Sequence, residues 1–90
     1  MTENDTRAWS GVRLFHHLVS RLDPASPHLP LNLHTMHTLV ASRPALLSGH
    51  PATREALAEV LDTVDAANVL TRDGRDQVAG LHYALRLADR

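Results

Sequence analysis

Residues 8–22, AWSGVRLFHHLVSRL, decide the fold class of this 90-residue chain. Ala8, Val12, Phe15, Val19 and Leu22 are spaced 4, 3, 4 and 3 residues apart along the segment. Because an α-helix completes a turn in about 3.6 residues, this spacing places the five side chains on one stripe of a helix. The segment therefore predicts an amphipathic helix that buries this stripe.

The two ends of this helix are also marked in the sequence. Asp5 or Thr6 can serve as the N-cap, because either side chain can accept a hydrogen bond from the first turn. Pro24 disfavours the α conformation at Asp23, so the helix should end there. Residues 23–31, DPASPHLPL, contain three of the five prolines and predict a stiff connector.

A second helix and a short third helix are predicted after the connector. Asn32 can cap a helix that runs to about Ser42, with apolar residues at positions 33, 36, 39 and 40. Pro44 cannot continue that helix without the loss of a backbone hydrogen bond. Residues 44–47 therefore predict a separate helical turn, which Ser48 and Gly49 would close.

The rest of the chain predicts one or two helices after Pro51 and a last helix near the C-terminus. Pro51 suits a first helical position, and the pattern leaves open whether Asp65 caps a separate short helix. Asp73 can cap the last helix, in which positions 78, 81, 85 and 88 form an apolar stripe. Because no segment alternates with a period of two, we expect an all-α fold. The prediction is a compact bundle of four to five helices in a single domain, residues 1–90.

The composition excludes several classes of protein. The chain has no cysteine, which excludes disulfides and thiol chemistry. No apolar run approaches the roughly 20 residues of a membrane-spanning helix, and residues 1–7 are too polar and acidic for a signal peptide. A net charge of −1 provides no general attraction for nucleic acid or anionic lipid. We expect a cytoplasmic protein that does not bind membranes.

Seven histidines make metal binding the first chemical function to consider. His34 and His37 share one face of the second helix, but a zinc site usually needs a third protein ligand. The helical zinc motif H-E-x-x-H is absent from the sequence. We therefore interpret the histidines as polar residues at or near the surface, and expect neither a metal nor another cofactor.

No arrangement in the sequence is typical of catalysis. The chain has five serines but no G-x-S-x-G nucleophile motif. Its carboxylate pairs at positions 55 and 59 and at positions 62 and 65 lie on helix faces that should point to solvent. The four glycines are scattered rather than clustered in a phosphate-binding loop. We expect a protein that is not an enzyme and has no small-molecule substrate.

Residues 36–70 contain four short segments in a characteristic order. They are VAS, SRPALLSG, PATREALAEVL and DAANVL, at 40–42, 42–49, 51–61 and 65–70. This order resembles the second half of a lambda-repressor-like helix-turn-helix domain, with SRPALLSG at the position of its recognition helix. The resemblance implies a DNA-binding transcriptional regulator in which Arg43 and Arg54 contact phosphates.

Three departures from the family's pattern leave a second interpretation open. SRPALLSG is about one turn shorter than the family's recognition helix, and Pro44 lies inside it. His37 stands where the family has a small residue that lets two helices touch. Phosphate contacts need lysine or arginine, and only Arg43 and Arg54 lie on the matching surface. A related domain that binds a protein instead of DNA is consistent with these departures.

The apolar content favours a protein partner. The predicted helices carry more apolar side chains than their stripes need, and surplus apolar surface is typical of interfaces. The surplus residues are Trp9, Leu14, Leu46, Leu47, Tyr83 and Leu87. We expect a non-catalytic binding module, either a protein-interaction unit or a regulatory subunit, that binds another protein or itself; DNA is the alternative partner. The residues expected to contact the partner are Trp9, Arg43, Leu47 and Arg54, although Trp9 fits the edge of the core as well.

Overall fold

The computed structural model describes residues 11–88 and is all-α, as the sequence predicts. Five α-helices lie in these residues, and none of the residues forms a β-strand. The helices are α1 (Gly11–Arg21), α2 (Leu29–Ser42), α3 (Ala45–Gly49), α4 (Pro51–Ala66) and α5 (Arg72–Ala88). None of the five combines the length and the hydropathy that crossing a bilayer requires.

One hydrophobic core joins the five helices. Its buried side chains recur every three or four residues along α1, α2, α4 and α5, so each of these helices turns one apolar face inward. The buried residues are Phe15, Leu18, Leu22, Leu29, Leu33, Met36, Val40, Leu46, Leu47, Leu57, Leu61, Val64, Val78 and Leu81. Because almost all of them are aliphatic, the fold is stabilised by close packing of branched side chains around a single phenyl ring.

The buried face of α1 includes Leu18, which widens the predicted stripe as its sequence position indicates, but it excludes Val12. Phe15, Leu18 and Leu22 are buried, whereas Val12 is 38% exposed and Val19 is only partly buried. The cause is that α1 packs against both α2 and α4, so its inward face is wider than one stripe. The prediction is thus confirmed for Phe15 and Leu22 and wrong for Val12.

Only the C-terminal end of α1 can be compared with the prediction. The helix ends at Arg21, two residues before the predicted stop at Asp23. The Asp23 carboxylate accepts a hydrogen bond from the backbone N–H two residues later, over 2.9 Å, and so orders the turn. The predicted caps Asp5 and Thr6, and the stripe position Ala8, lie outside the residues that the structure describes.

The second helix begins earlier than predicted. It starts at Leu29, with Pro30 in its first turn, so the prediction of Asn32 as the N-cap is wrong. A proline is tolerated there because the first N–H groups of a helix have no acceptor within the helix. The Asn32 side chain instead donates a hydrogen bond to the carbonyl oxygen of Arg21 at the end of α1, over 3.3 Å. The connector is therefore shortened to residues 22–28.

The segment that begins at Pro51 forms one helix and not two, the two alternatives that its sequence leaves open. α4 runs unbroken to Ala66, and Asp65 starts no separate helix. The chain leaves α4 through Asn68, whose φ of 55° lies in the left-handed region. Asparagine enters this region more readily than most residues with a side chain, so it can end the helix without a glycine.

The last helix is capped by Thr71, and the prediction of Asp73 as its cap is wrong. α5 begins at Arg72, and the N–H of Gly74 donates to the Thr71 hydroxyl oxygen over 3.2 Å. In this N-cap arrangement the side chain satisfies an N–H group that the helix itself leaves free. Asp73 lies inside the first turn, where its negative charge suits the helix dipole.

The largest helix–helix interface in residues 11–88 joins α2 to α5. Gly80 of α5 makes this close approach possible, because a Cβ added there would lie 2.6 Å from Nε2 of His37. The imidazole of His37 therefore packs on a position where any other residue would collide with it. This contact holds the C-terminal half of α2 beside that of α5.

Candidate docking site

An apolar groove of about 550 Å³ lies between the C-terminal parts of α2 and α5 and the short helix α3. Its lining residues are His37, Val40, Ala41, Pro44, Ala45, Leu47, Ser48, Gly80, Tyr83, Ala84, Leu87 and Ala88. None of them is an aspartate, a glutamate, a lysine or an arginine. The groove is thus an uncharged surface with one imidazole, one phenol and one aliphatic hydroxyl as its polar side chains.

Small side chains explain why the groove is open. Gly80, Ala84 and Ala88 are spaced by four residues, so they share one face of α5. Ala41 at the end of α2 and Ala45 at the start of α3 are equally small and line the same space. Because none of these side chains extends beyond Cβ, the surrounding helices cannot fill the volume between them.

The floor of the groove is part of the hydrophobic core. Leu47 is 1% exposed and Leu46 is 7% exposed, because α3 packs against α1, α4 and α5. Leu14 is partly buried and packs against the same core. The expectation that these three leucines are surplus to the core is therefore wrong, and Leu47, a predicted partner contact, is a core residue that also lines the groove.

Two large side chains of α5 stand exposed at the rim of the groove. Tyr83 is 58% exposed and Leu87 is 45% exposed, and their spacing of four residues puts them on adjacent turns. The prediction that these two side chains are surplus to the core is confirmed. Exposed apolar side chains that adjoin an apolar groove are typical of a surface that binds another protein.

The two arginines predicted to bind a partner contact the backbone of this chain. Arg43 is exposed, and its guanidinium lies over Gly11, where an added Cβ would come within 2.5 Å of it. Arg54 is half-buried and donates a hydrogen bond to the carbonyl oxygen of Ala88 at the end of α5, over 3.3 Å. Neither arginine lines the groove. Arg43 contacts the start of α1, whereas Arg54 contacts the end of α5. Trp9 lies outside the residues that the structure describes.

The helix α3 forms only residues 45–49 of the segment 42–49 that the resemblance assigns to a recognition helix, and Arg43 of that segment lies before it. Its exposed residues are Ala45, Ser48 and Gly49. The Ser48 hydroxyl donates to the Ala45 carbonyl oxygen within the same helix, over 3.3 Å. Base edges are mostly read by longer hydrogen-bonding side chains such as arginine, asparagine and glutamine. The five residues of α3 include none of these.

The histidine pair singled out in the sequence faces two different parts of α5. Nδ1 of His34 lies 3.4 Å from Nε2 of Gln77, whereas His37 packs on Gly80 inside the groove. Across residues 11–88, no group of three or more histidine, aspartate or glutamate side chains is arranged to hold a metal ion. His34 and His37 thus serve the contact between α2 and α5.

A different pair of histidines is brought together by folding. The ring centroids of His16 and His50 are 5.7 Å apart, and Nδ1 of His16 lies 2.7 Å from the Thr53 hydroxyl oxygen. These residues connect α1 to the start of α4. Sequence reasoning missed this pair, because no spacing rule relates residues so far apart along the chain.

Sequence reasoning also missed most of the groove. Pro44, Ala45, Gly80 and Ala84 are small or rigid residues, and their sequence carries no mark of a functional site. The signal that could have found some of them is the spacing of four residues from Gly80 to Ala84 and Ala88. Its meaning depends on α2 and α3 lying opposite, which the sequence does not show.

The chain matches no family model, no curated protein and no solved structure at a significant level. The functional interpretation therefore rests on the groove, its rim and its floor.

Proposed function

We propose that this protein is a non-catalytic interaction module that binds an amphipathic helix of a protein in its apolar groove. The observation that carries the proposal is the uncharged groove of about 550 Å³ with the exposed side chains of Tyr83 and Leu87 at its rim. Binding of a helix in a groove uses apolar anchors on one helical face, spaced three, four or seven residues apart. A cleft bounded by helices and lined by alanines suits such anchors.

The energetics of the groove suit a specific but reversible contact. Burial of a side chain of the size of leucine contributes about 1.5–3 kcal/mol, so two or three anchors contribute roughly 3–9 kcal/mol before the costs of association. A bound helix would also desolvate no aspartate, glutamate, lysine or arginine of the groove, because none lines it. The free energy gained by apolar burial is therefore not offset by the desolvation of such side chains in the groove.

The clefts in the described residues differ in their chemistry. One between α4 and α5 is lined by Arg54, Glu55, Asp62, His82 and Arg86 with two apolar residues. Closing it against a partner would remove several charges from water, which is costly unless each finds an opposite charge. A partner that covers the groove therefore has fewer charged residues to desolvate than one that covers the cleft between α4 and α5.

A photo-crosslinking experiment in cells that naturally contain the protein tests the proposal. A benzophenone amino acid replaces Tyr83 at the rim or, as a matched control, Leu31, which is 64% exposed and lies outside the groove. We expect a covalent adduct with a polypeptide at position 83 and none at position 31. The added substitution Leu87→Arg should abolish the adduct at position 83.

Two results would contradict the proposal. Adducts of equal yield at positions 83 and 31 would show that the groove has no preference for a protein. An adduct with nucleic acid at position 83, without a polypeptide, would favour the helix-turn-helix alternative.

A further inference from the structure

We propose that the helix bound in the groove is α5 of a second copy of this chain. In this arrangement Tyr83 and Leu87 of each copy insert into the groove of the other. The inference rests on the proposed function, because it names the partner of the same groove. Three properties of the surface support a second copy over an unrelated protein.

The first property is that the groove and its protruding side chains belong to one surface. In a twofold symmetric dimer the same patch is used on both copies, so the patch must present both a cavity and the groups that fill it. Here α5 lines the groove and also carries the exposed side chains of Tyr83 and Leu87. In a symmetric dimer these two side chains would fill the groove of the other copy as well as border their own.

The second property is the lack of charge in the groove. Near a twofold axis each residue faces its own symmetry mate, so a charged residue there would repel itself. The groove lining contains no aspartate, glutamate, lysine or arginine. The net charge of the whole chain is −1, so two copies also approach each other with little long-range repulsion.

The third property is the pattern of α5 itself. Tyr83 and Leu87 are spaced four residues apart, which is one of the anchor spacings of a helix that binds in a groove. Beside them Ala84 and Ala88 have side chains that end at Cβ, so two α5 helices can pack closely. The chain thus contains both a groove for an apolar helix and a helix with the matching pattern.

Sedimentation velocity of the full chain over a range of concentrations tests the inference. We expect a concentration-dependent dimer of the wild-type protein. Leu87→Arg should weaken the dimer by about 30-fold or more, a loss typical of a central interface residue, because each copy would insert an arginine into the apolar groove of the other. Leu31→Arg makes the same chemical change at a more exposed position outside the groove and should leave the dimer unchanged.

A second measurement shows where the copies meet. The chain has no cysteine, so Leu87→Cys and Leu31→Cys each contain a single thiol. A short bis-maleimide should link two copies of Leu87→Cys in high yield and two copies of Leu31→Cys only slightly. Thermal unfolding followed by circular dichroism should be similar for the monomeric forms of all variants, since both leucines are exposed.

Three outcomes would overturn the inference: a wild-type protein that stays monomeric, a dimer that Leu87→Arg does not weaken, or equal crosslinking of the two cysteine variants. The proposed function fails separately. If the protein is monomeric and position 83 crosslinks to a different polypeptide, the groove is a docking site but its partner is not a second copy. If position 83 gives no specific adduct, both the docking role of the groove and the dimer are rejected.

Discussion

Phe15 shows how strongly the environment of one residue determines its importance. It is the largest fully buried side chain in the core, with 0% of its surface exposed. Val12 belongs to the same predicted stripe but is 38% exposed, because the wide inward face of α1 is centred nearer to Leu18. Two residues that look equivalent in the sequence therefore differ in their contribution to stability.

Replacement of Phe15 by alanine should leave the protein barely folded at 37 °C. Deletion of a buried phenyl ring costs about 3–5 kcal/mol, and a domain of this size has a total stability of about 5–9 kcal/mol. Urea unfolding followed by circular dichroism measures the loss. Val12→Ala is the control and should cost less than about 1 kcal/mol. Equal losses for the two variants would contradict the burial described here.

Asn68 is a second residue whose importance comes from its conformation. Its φ of 55° is unfavourable for side chains branched at Cβ, and glycine adopts it without strain. Asn68→Val should therefore lower the free energy of unfolding by about 1–2 kcal/mol, whereas Asn68→Gly should be close to neutral. Ala67, with a φ of −69°, offers the matched control: Ala67→Val should have little effect. Thermal unfolding checks the order, and a harmless Asn68→Val would be inconsistent with the left-handed conformation.

At the scale of elements, the position of a glycine decides how two helices pack. Gly80 lies in α5 against His37 of α2, so its missing Cβ sets the distance between the two helices. Gly49 lies in α3 with no atom within 4 Å of an added Cβ. The same residue type thus has a packing role in one helix and none in another.

Alanine substitutions at these two glycines should therefore differ in effect. Alanine favours helix over glycine by up to about 1 kcal/mol, so Gly49→Ala should raise the free energy of unfolding. Gly80→Ala should not raise the free energy of unfolding, because the new Cβ forces the imidazole of His37 to move. In a His37→Ala background, Gly80→Ala should recover the gain. A double-mutant cycle measured by urea unfolding checks this, and zero coupling between the two positions would disprove the contact.

At the scale of the whole molecule, charge separates the two candidate partners. Duplex DNA is bound chiefly through neutralisation of its phosphates, and this chain carries a net charge of −1. Arg43 and Arg54, the residues that the helix-turn-helix resemblance would use, pack on Gly11 and on the end of α5. The groove, by contrast, is lined by no lysine or arginine that could contact a phosphate.

We therefore expect no measurable binding of the full chain to genomic duplex fragments at about 50 mM salt, measured by fluorescence anisotropy. Binding that falls with rising salt and is weakened by Arg43→Ala would instead support a DNA-binding regulator. Arg43→Ala is the better variant for this purpose. The hydrogen bond from Arg54 to the Ala88 carbonyl means that Arg54→Ala also disturbs the end of α5.

Local interactions explain which structural features could be predicted from the sequence. The all-α class, the stop of α1 before Pro24 and the separation of α3 from α2 at Pro44 all depend on residues within one or two turns of each other. The errors at Asn32 and Asp73 are also local. Several residues there could cap a helix, and the choice among them depends on which one the tertiary contacts place at the helix end.

The groove was decided by tertiary structure alone. Alanines and a glycine carry no chemical signal, and they become a site only because α2, α3 and α5 bring them to one surface. The burial of Leu47 and the contact of Arg54 with Ala88 have the same origin, since their partners lie on other helices. The helical periodicity of a sequence determines which face of a helix is apolar. Which neighbour covers that face, and which part remains open to a partner, depends on packing between segments distant in the chain.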